Sequence, residues 1–190
     1  HKFNSDISRW DVSNTKRFTK MFDTALEFNQ PICIWNTMSS VDMSRMFANT
    51  DSFNQPLGSW DTHGITSMIA MFMNATAFNQ SINGWNTGSV VDMSYMFQDA
   101  PLFNQPLNNW DVSNVDSMQN MFHGAVAFNQ KLNRWDVSNV KSIDSMFQGA
   151  VIFNQRMDMW NTSSLRTTSY MFMCATLFNQ SLNKWDTSNV

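Results

Sequence analysis

Charge is scarce in this chain: Asp, Glu, Lys and Arg make up 14% of its 190 residues, 12 basic and 15 acidic, and neither sign is clustered. Without a basic stripe, no nucleic-acid partner is expected. Long apolar runs are missing as well. Nothing approaches the roughly 18 residues of a membrane span, so no direct membrane insertion is expected of this segment. The opening HKFNSDISRW lacks the basic, apolar and small-residue succession of an export signal, which places any such signal outside the sequence. Six Gly form no phosphate-cradling loop, and there is no Gly-x-Ser-x-Gly. The three His, at 1, 63 and 123, and the two Cys, at 33 and 174, share no spacing that implies a metal site, a redox pair or a nucleophile with its base. The sequence therefore predicts no enzyme, no catalytic residue, no metal and no cofactor.

What is abundant is large apolar rings beside uncharged amides. The chain holds 16 Phe, 8 Trp and 16 Met within a hydrophobic content of 43%, enough for a substantial core. These residues recur at a fixed interval of 25. The Trp residues are Trp10, Trp35, Trp60, Trp85, Trp110, Trp135, Trp160 and Trp185, and Phe-Asn begins at 3, 28, 53, 78, 103, 128, 153 and 178. Met-Phe fills 21, 46, 71, 96, 121, 146 and 171. No linker interrupts the series, so residues 1–190 read as a single solenoid domain of about seven and a half stacked coils.

We number the places of a unit from the Phe of Phe-Asn. Places five, eight and ten, such as Leu107, Trp110 and Val112, follow the L-x-x-L-x-L spacing of a leucine-rich coil. Alternation puts the Trp and the residue two further on along one side of a short parallel strand, facing the core. The second half changes period. Met118, Met121, Phe122 and Ala125 lie at i, i+3, i+4 and i+7, which predicts a short helix, and Asp42, Ser67, Asp92, Ser117, Ser142 and Thr167 stand where a cap belongs. The predicted fold is a leucine-rich-repeat-like solenoid with one strand and one helix per coil. A single unit cannot shelter its rings, so stacking must stabilise it. At ~4.8 Å per coil, Cys33 and Cys174 lie beyond the ~7 Å reach of a disulfide.

Stacking also accounts for the amides. Asn4, Asn29, Asn54, Asn79, Asn104, Asn129, Asn154 and Asn179 recur at place two and are expected to form a buried or half-buried ladder at a bend. Place nine alternates between Asp and Asn (Asp11, Asn36, Asp61, Asn86, Asp111, Asp136, Asn161, Asp186). A calcium ladder needs the charge, whereas an Asx-turn needs only the oxygen that both residues carry, and the interchange favours the turn. The Trp column reads as core ahead of a ligand platform, and the Met pairs as packing ahead of copper(I) binding. Thr37, Thr62, Thr87, Thr162 and Thr187 share place ten with Val12, Val112 and Val137, which marks it as inward rather than ice-binding.

The words Phe-Asn-Gln, Trp-Asp-Val-Ser-Asn and Met-Phe at this spacing, as in FNQPLNNWDVSNVDSMQNMFHGAVAFNQ, resemble the BspA-like repeat of bacterial and protist surface proteins and mycoplasma lipoproteins. The resemblance covers the whole chain. It implies a right-handed, leucine-rich-like solenoid, exported to the cell surface or beyond it, with a part in adhesion and no catalytic residues. Departures from the pattern are local: Thr168 replaces the first Met, Thr50 the Ala, and Met38 and His63 the usual Ser.

Places eighteen and twenty-one do not repeat, and Tyr95, Tyr170, Met73 and Met173 there are candidate surface contacts. Asn74, Asn79, Asn161 and Asn179 head Asn-x-Ser/Thr sequons; Asn79 and Asn179 belong to the ladder, which leaves Asn74, in a variable column, and Asn161 as candidate glycosylation sites. Neither end carries a polar cap, so a segment of a longer array is expected. The leading functional reading is a non-enzymatic extracellular or cell-surface scaffold for adhesion and protein interaction. The alternatives are a subunit of an extracellular filament built by copies stacking end to end, and a carbohydrate-binding module. Expected partners are accordingly a surface protein or glycan, or further copies of the chain.

Overall fold

The computed structural model describes residues 2–190. The 25-residue units lie side by side in parallel register: Arg17 bridges Asp42, Asp42 bridges Ser67, and the series continues through Asp92, Ser117 and Ser142 to Thr167. These single-residue bridges are the whole of the β-structure among the described residues, and no helix occurs among them. The expected strand and helix of each coil are therefore corrected. The fold is not that of a typical leucine-rich repeat.

The backbone shows why. Each unit is a chain of turns closed by an N–H bonded three residues back. Along one 25-residue period these are Met21 to Phe18, Asp23 to Lys20, Ala25 to Phe22, Phe28 to Ala25 and Trp35 to Ile32, at 3.0–3.2 Å. A helix needs every N–H to reach four residues back. Here alternate N–H groups leave the unit instead: Phe18, Lys20, Phe22 and Thr24 donate to the carbonyls of Asp42, Ser44, Met46 and Ala48 in the next one. The alternation is fixed by two left-handed residues per unit, at places eighteen and twenty-two. Lys20 and Thr24 have φ of 59° and 63°, Tyr95 and Asp99 of 64° and 50°. Positive φ at the third residue of a turn is the type II arrangement, and it ends any right-handed helix.

The apolar pattern is nonetheless satisfied. Met118, Met121, Phe122 and Ala125 are all buried, as are Leu107, Trp110 and Val112, with the turns rather than a helix or strand turning them inward. The core is one continuous cluster along the stack. Phe22 and Phe28, at the junction of two units, lie 4.0 Å apart between ring centres and nearly parallel, and Phe22 meets Phe47, its equivalent in the next unit, at 5.6 Å. Offset stacking at these distances adds to the burial of each ring. A polar column runs through the same interior. Thr37, Thr62, Thr87 and Thr162 are buried, and each hydroxyl donates to the place-nine carbonyl of the next unit at 2.8–3.0 Å.

Candidate functional site

The invariant columns hold units together. Trp35 through Trp160 are buried, and neighbours such as Trp85 and Trp110 stack 6.5 Å apart with planes 3° from parallel. Each indole N–H also donates to the place-five carbonyl of the preceding unit, Trp85 to Leu57 at 2.9 Å and Trp110 to Ile82 at 3.0 Å. A Leu in that position cannot make this bond. Trp10, 53% exposed, is not in the core, and Trp185 is half-buried. Both lie in the terminal units, where a neighbour covers one side only.

The place-two amides form a directional ladder. The Asn104 side-chain oxygen accepts the backbone N–H of Asn129 at 3.0 Å and the Nε2 of Gln130 at 2.9 Å. The arrangement repeats from Asn4, which receives Asn29 and Gln30, to Asn154, which receives Asn179 and Gln180. Asn29 through Asn154 are half-buried, while Asn4 and Asn179 are exposed. The Gln at place three thus supplies a second donor to every rung. The place-nine row closes on itself: each Asp or Asn oxygen accepts the N–H two residues on, from Asp11–Ser13 at 3.0 Å to Asp186–Ser188 at 2.9 Å. Ser113 donates its hydroxyl as well as its N–H to Asp111, and these bonds hold that carboxyl below the usual carboxylate range. Ser13 and Ser188 act in the same way on Asp11 and Asp186. Among the described residues, no three His, Cys, Asp or Glu side chains gather as a metal site.

The variable columns are rearranged relative to expectation. Tyr170 and Met173 are exposed, at 69% and 50%, but Tyr95 and Met73 are half-buried. Those two sit inside the run of turns that the next unit covers, whereas residues 167–177 have no such run stacked on their far side. The expected contact strip is therefore reduced to its C-terminal pair. The sequons are reordered too. Asn74 is half-buried, and its side-chain nitrogen, the atom that a glycan would occupy, donates to Asn49 at 2.7 Å. Asn161 is exposed, with only its oxygen engaged, by Ser163. Asn179, expected to be excluded by the ladder, is exposed as well, so the accessible sequon side chains are Asn161 and Asn179.

A groove of about 770 Å³ crosses the stack between Pro106 and Met159, and sequence reasoning missed it. Leu132 and Trp135 lie buried under it; Asn129, Gln130 and Gln155 of the amide ladder line it; Pro106, Lys131, Arg134, Arg156 and Met159 are exposed around it. Lys131 and Arg134 make no ion pair among the described residues. Arg156 donates to both oxygens of Asp158 at 3.1 and 2.8 Å, and Lys184 reaches the same carboxylate at 3.6 Å. A signal was present. Place four runs Asp6, Pro31, Pro56, Ser81, Pro106 and then changes to Lys131 and Arg156, while place seven runs Arg9, Ile34, Ser59, Gly84, Asn109 and then Arg134.

In comparison with known families, the pattern described as "Mycoplasma protein of unknown function, DUF285" matches residues 1–66, 56–150 and 102–190, together spanning the chain. No curated protein matches, and no solved structure does.

Proposed function

The chain belongs to the DUF285 family, and from that premise we propose that it is a non-enzymatic repeat scaffold at the cell surface or outside the cell, serving adhesion or protein interaction. The observation that carries this reading is a division of labour between columns. The invariant Trp, Asn and Asx side chains make bonds within and between units, as Trp110, Asn104 and Asp111 do. Places four and seven, by contrast, vary from unit to unit and lie at the surface around the groove, where Lys131, Arg134 and Met159 are exposed. Such a frame tolerates changes at its variable places without loss of fold, which suits recognition. The resemblance to BspA-like surface repeats points the same way.

The test is adhesion of host cells and matrix proteins to wells coated with the folded chain, with the urea-unfolded chain as control. Saturable attachment that depends on folding is expected. Equal attachment to both coatings, or to neither, overturns the reading. Surface placement is tested separately on intact source cells: external protease should degrade the protein, and full protection would refute that placement.

A further inference from the structure

We propose that the groove between Pro106 and Met159 binds an acidic oligosaccharide, an inference that rests on the surface-interaction reading above and names its ligand class. The argument begins with the unpaired cations. Lys131 and Arg134 stand exposed on the groove without an ion-pair partner among the described residues, no Asp or Glu lines the groove, and Asp158 beside it is already flanked by Arg156 and Lys184. The groove therefore presents net positive charge on a chain whose formal charge is −3. A charge held in this way favours an anionic ligand and raises its encounter rate.

The frame does not need these cations. The turn over places five to eight closes through Trp135 N–H to Leu132 at 3.0 Å and through Trp60 N–H to Leu57 at 3.1 Å. The second of those turns is flanked by Pro56 and Ser59 where the first has Lys131 and Arg134. The same backbone forms with or without the charges, so structure alone does not call for them.

The remaining groups select a sugar. Gln130 and Gln155 use their Nε2 atoms in the ladder, to Asn104 and Asn129, which leaves each Oε1 able to accept from a hydroxyl. The Nδ2 of Asn129 has no partner among the described residues and is a free donor, since only the side-chain oxygen is engaged, by Asn154 and Gln155. Hydroxyls both donate and accept, and this mixture suits them. Pro106 and Met159 supply exposed apolar surface for the C–H faces of pyranose rings. An acidic peptide would meet the same cations, so hexaglutamate stands in the titration below as the competing ligand.

Calorimetric titration of the folded chain tests this with four probes: hexasaccharides of hyaluronan and of heparin, maltohexaose, and hexaglutamate. At least one acidic sugar should bind, more weakly as salt rises, with the neutral sugar and the acidic peptide about tenfold weaker or worse. Binding of hyaluronan identifies carboxylate as the sufficient anion; binding of heparin alone identifies sulfate. The double variant Lys131→Glu, Arg134→Glu should weaken binding about tenfold or more through loss of two charge contacts and the added repulsion. Lys16→Glu, Lys20→Glu, away from the groove, should leave it unchanged, and thermal unfolding of both variants checks that they fold. No acidic-sugar binding, equal binding of hexaglutamate, or a double variant that folds and binds like the parent overturns the proposal. If the hexasaccharides fail while cells still adhere to the folded chain, the groove assignment falls and the scaffold reading stands. If adhesion fails as well, both fall.

Discussion

Asn104→Ala isolates the bond that joins units at the bend. The parent oxygen accepts two donors from the next unit, Asn129 N–H at 3.0 Å and Gln130 Nε2 at 2.9 Å. After truncation Gln130 keeps an acceptor, since its Nε2 also lies 3.1 Å from the backbone carbonyl of residue 104. The Asn129 N–H is left without one. A half-buried backbone donor stripped of its partner costs about 1–3 kcal/mol. In a domain of this length that lowers the melting temperature by ~2–4 °C per kcal/mol. Asn104→Asp keeps an oxygen in place and should recover most of the loss. Asn179→Ala, the same residue in the same column, should change little, because Asn179 is exposed and its oxygen accepts no bond among the described residues. Urea unfolding followed by Trp fluorescence gives the ranking, and hydrogen exchange gives the location: the Asn129 amide should lose protection locally. An Asn104→Ala protein with unchanged stability and an equally protected Asn129 amide would refute the ladder as a source of stability.

Three further outcomes follow from the same geometry. Trp85→Phe removes the indole donor to Leu57 and part of a buried ring, and should cost about 2–3 kcal/mol, while Trp10→Phe, at an exposed site, should cost under ~0.5 kcal/mol; equal effects in urea unfolding would contradict the stacked core. Gly124→Ala should destabilise by about 1–2 kcal/mol, since φ is 67° there and a Cβ would overlap the Asp99 carboxylate. Adding Asp99→Gly should restore part of that loss, and a neutral Gly124→Ala in thermal melts would dismiss the left-handed turn. The lowered folded pKa values of Asp11, Asp111 and Asp186, caused first by the Ser13, Ser113 and Ser188 hydroxyls, contribute stability that is present above the ordinary Asp value of ~3.9 and lost as pH falls through the folded values. Asp111→Asn keeps the turn oxygen without the proton linkage, so any stability advantage of the parent should shrink below about pH 4. A parent-to-variant gap that stays constant with pH in urea titrations would reject that linkage.

The repeat period was legible without coordinates, because stacking requires chemically equivalent residues at equivalent places and leaves a visible recurrence. The inward columns and the Asx row were legible for the same reason. Asp and Asn at place nine share only a side-chain oxygen, and that oxygen is what the turn uses. The local conformation was misread. Apolar residues at i, i+3, i+4 and i+7 satisfy a helix, yet three turns in succession bring Met118, Met121, Phe122 and Ala125 inward equally well. The corrective signal lay at place twenty-two, where Asn49, Asn74, Asp99, Gly124 and Gly149 are types that tolerate positive φ. The groove was missed because its cations lie in two columns of mixed character, place four and place seven, and only the fold brings Lys131, Arg134 and Arg156 to one groove.

The amino-acid order by itself determined the 25-residue repeat and which side chains face inward, since hydrophobic burial depends on recurrence and not on the path between recurrences. Only the tertiary structure decided the path. In an isolated unit an N–H can bond four residues back; in a stack the carbonyls of the next unit stand ready to receive Phe18, Lys20, Phe22 and Thr24. Those partners come from residues 24 positions away, beyond the window in which helix and strand propensities act, and they convert a helical pattern into a column of turns.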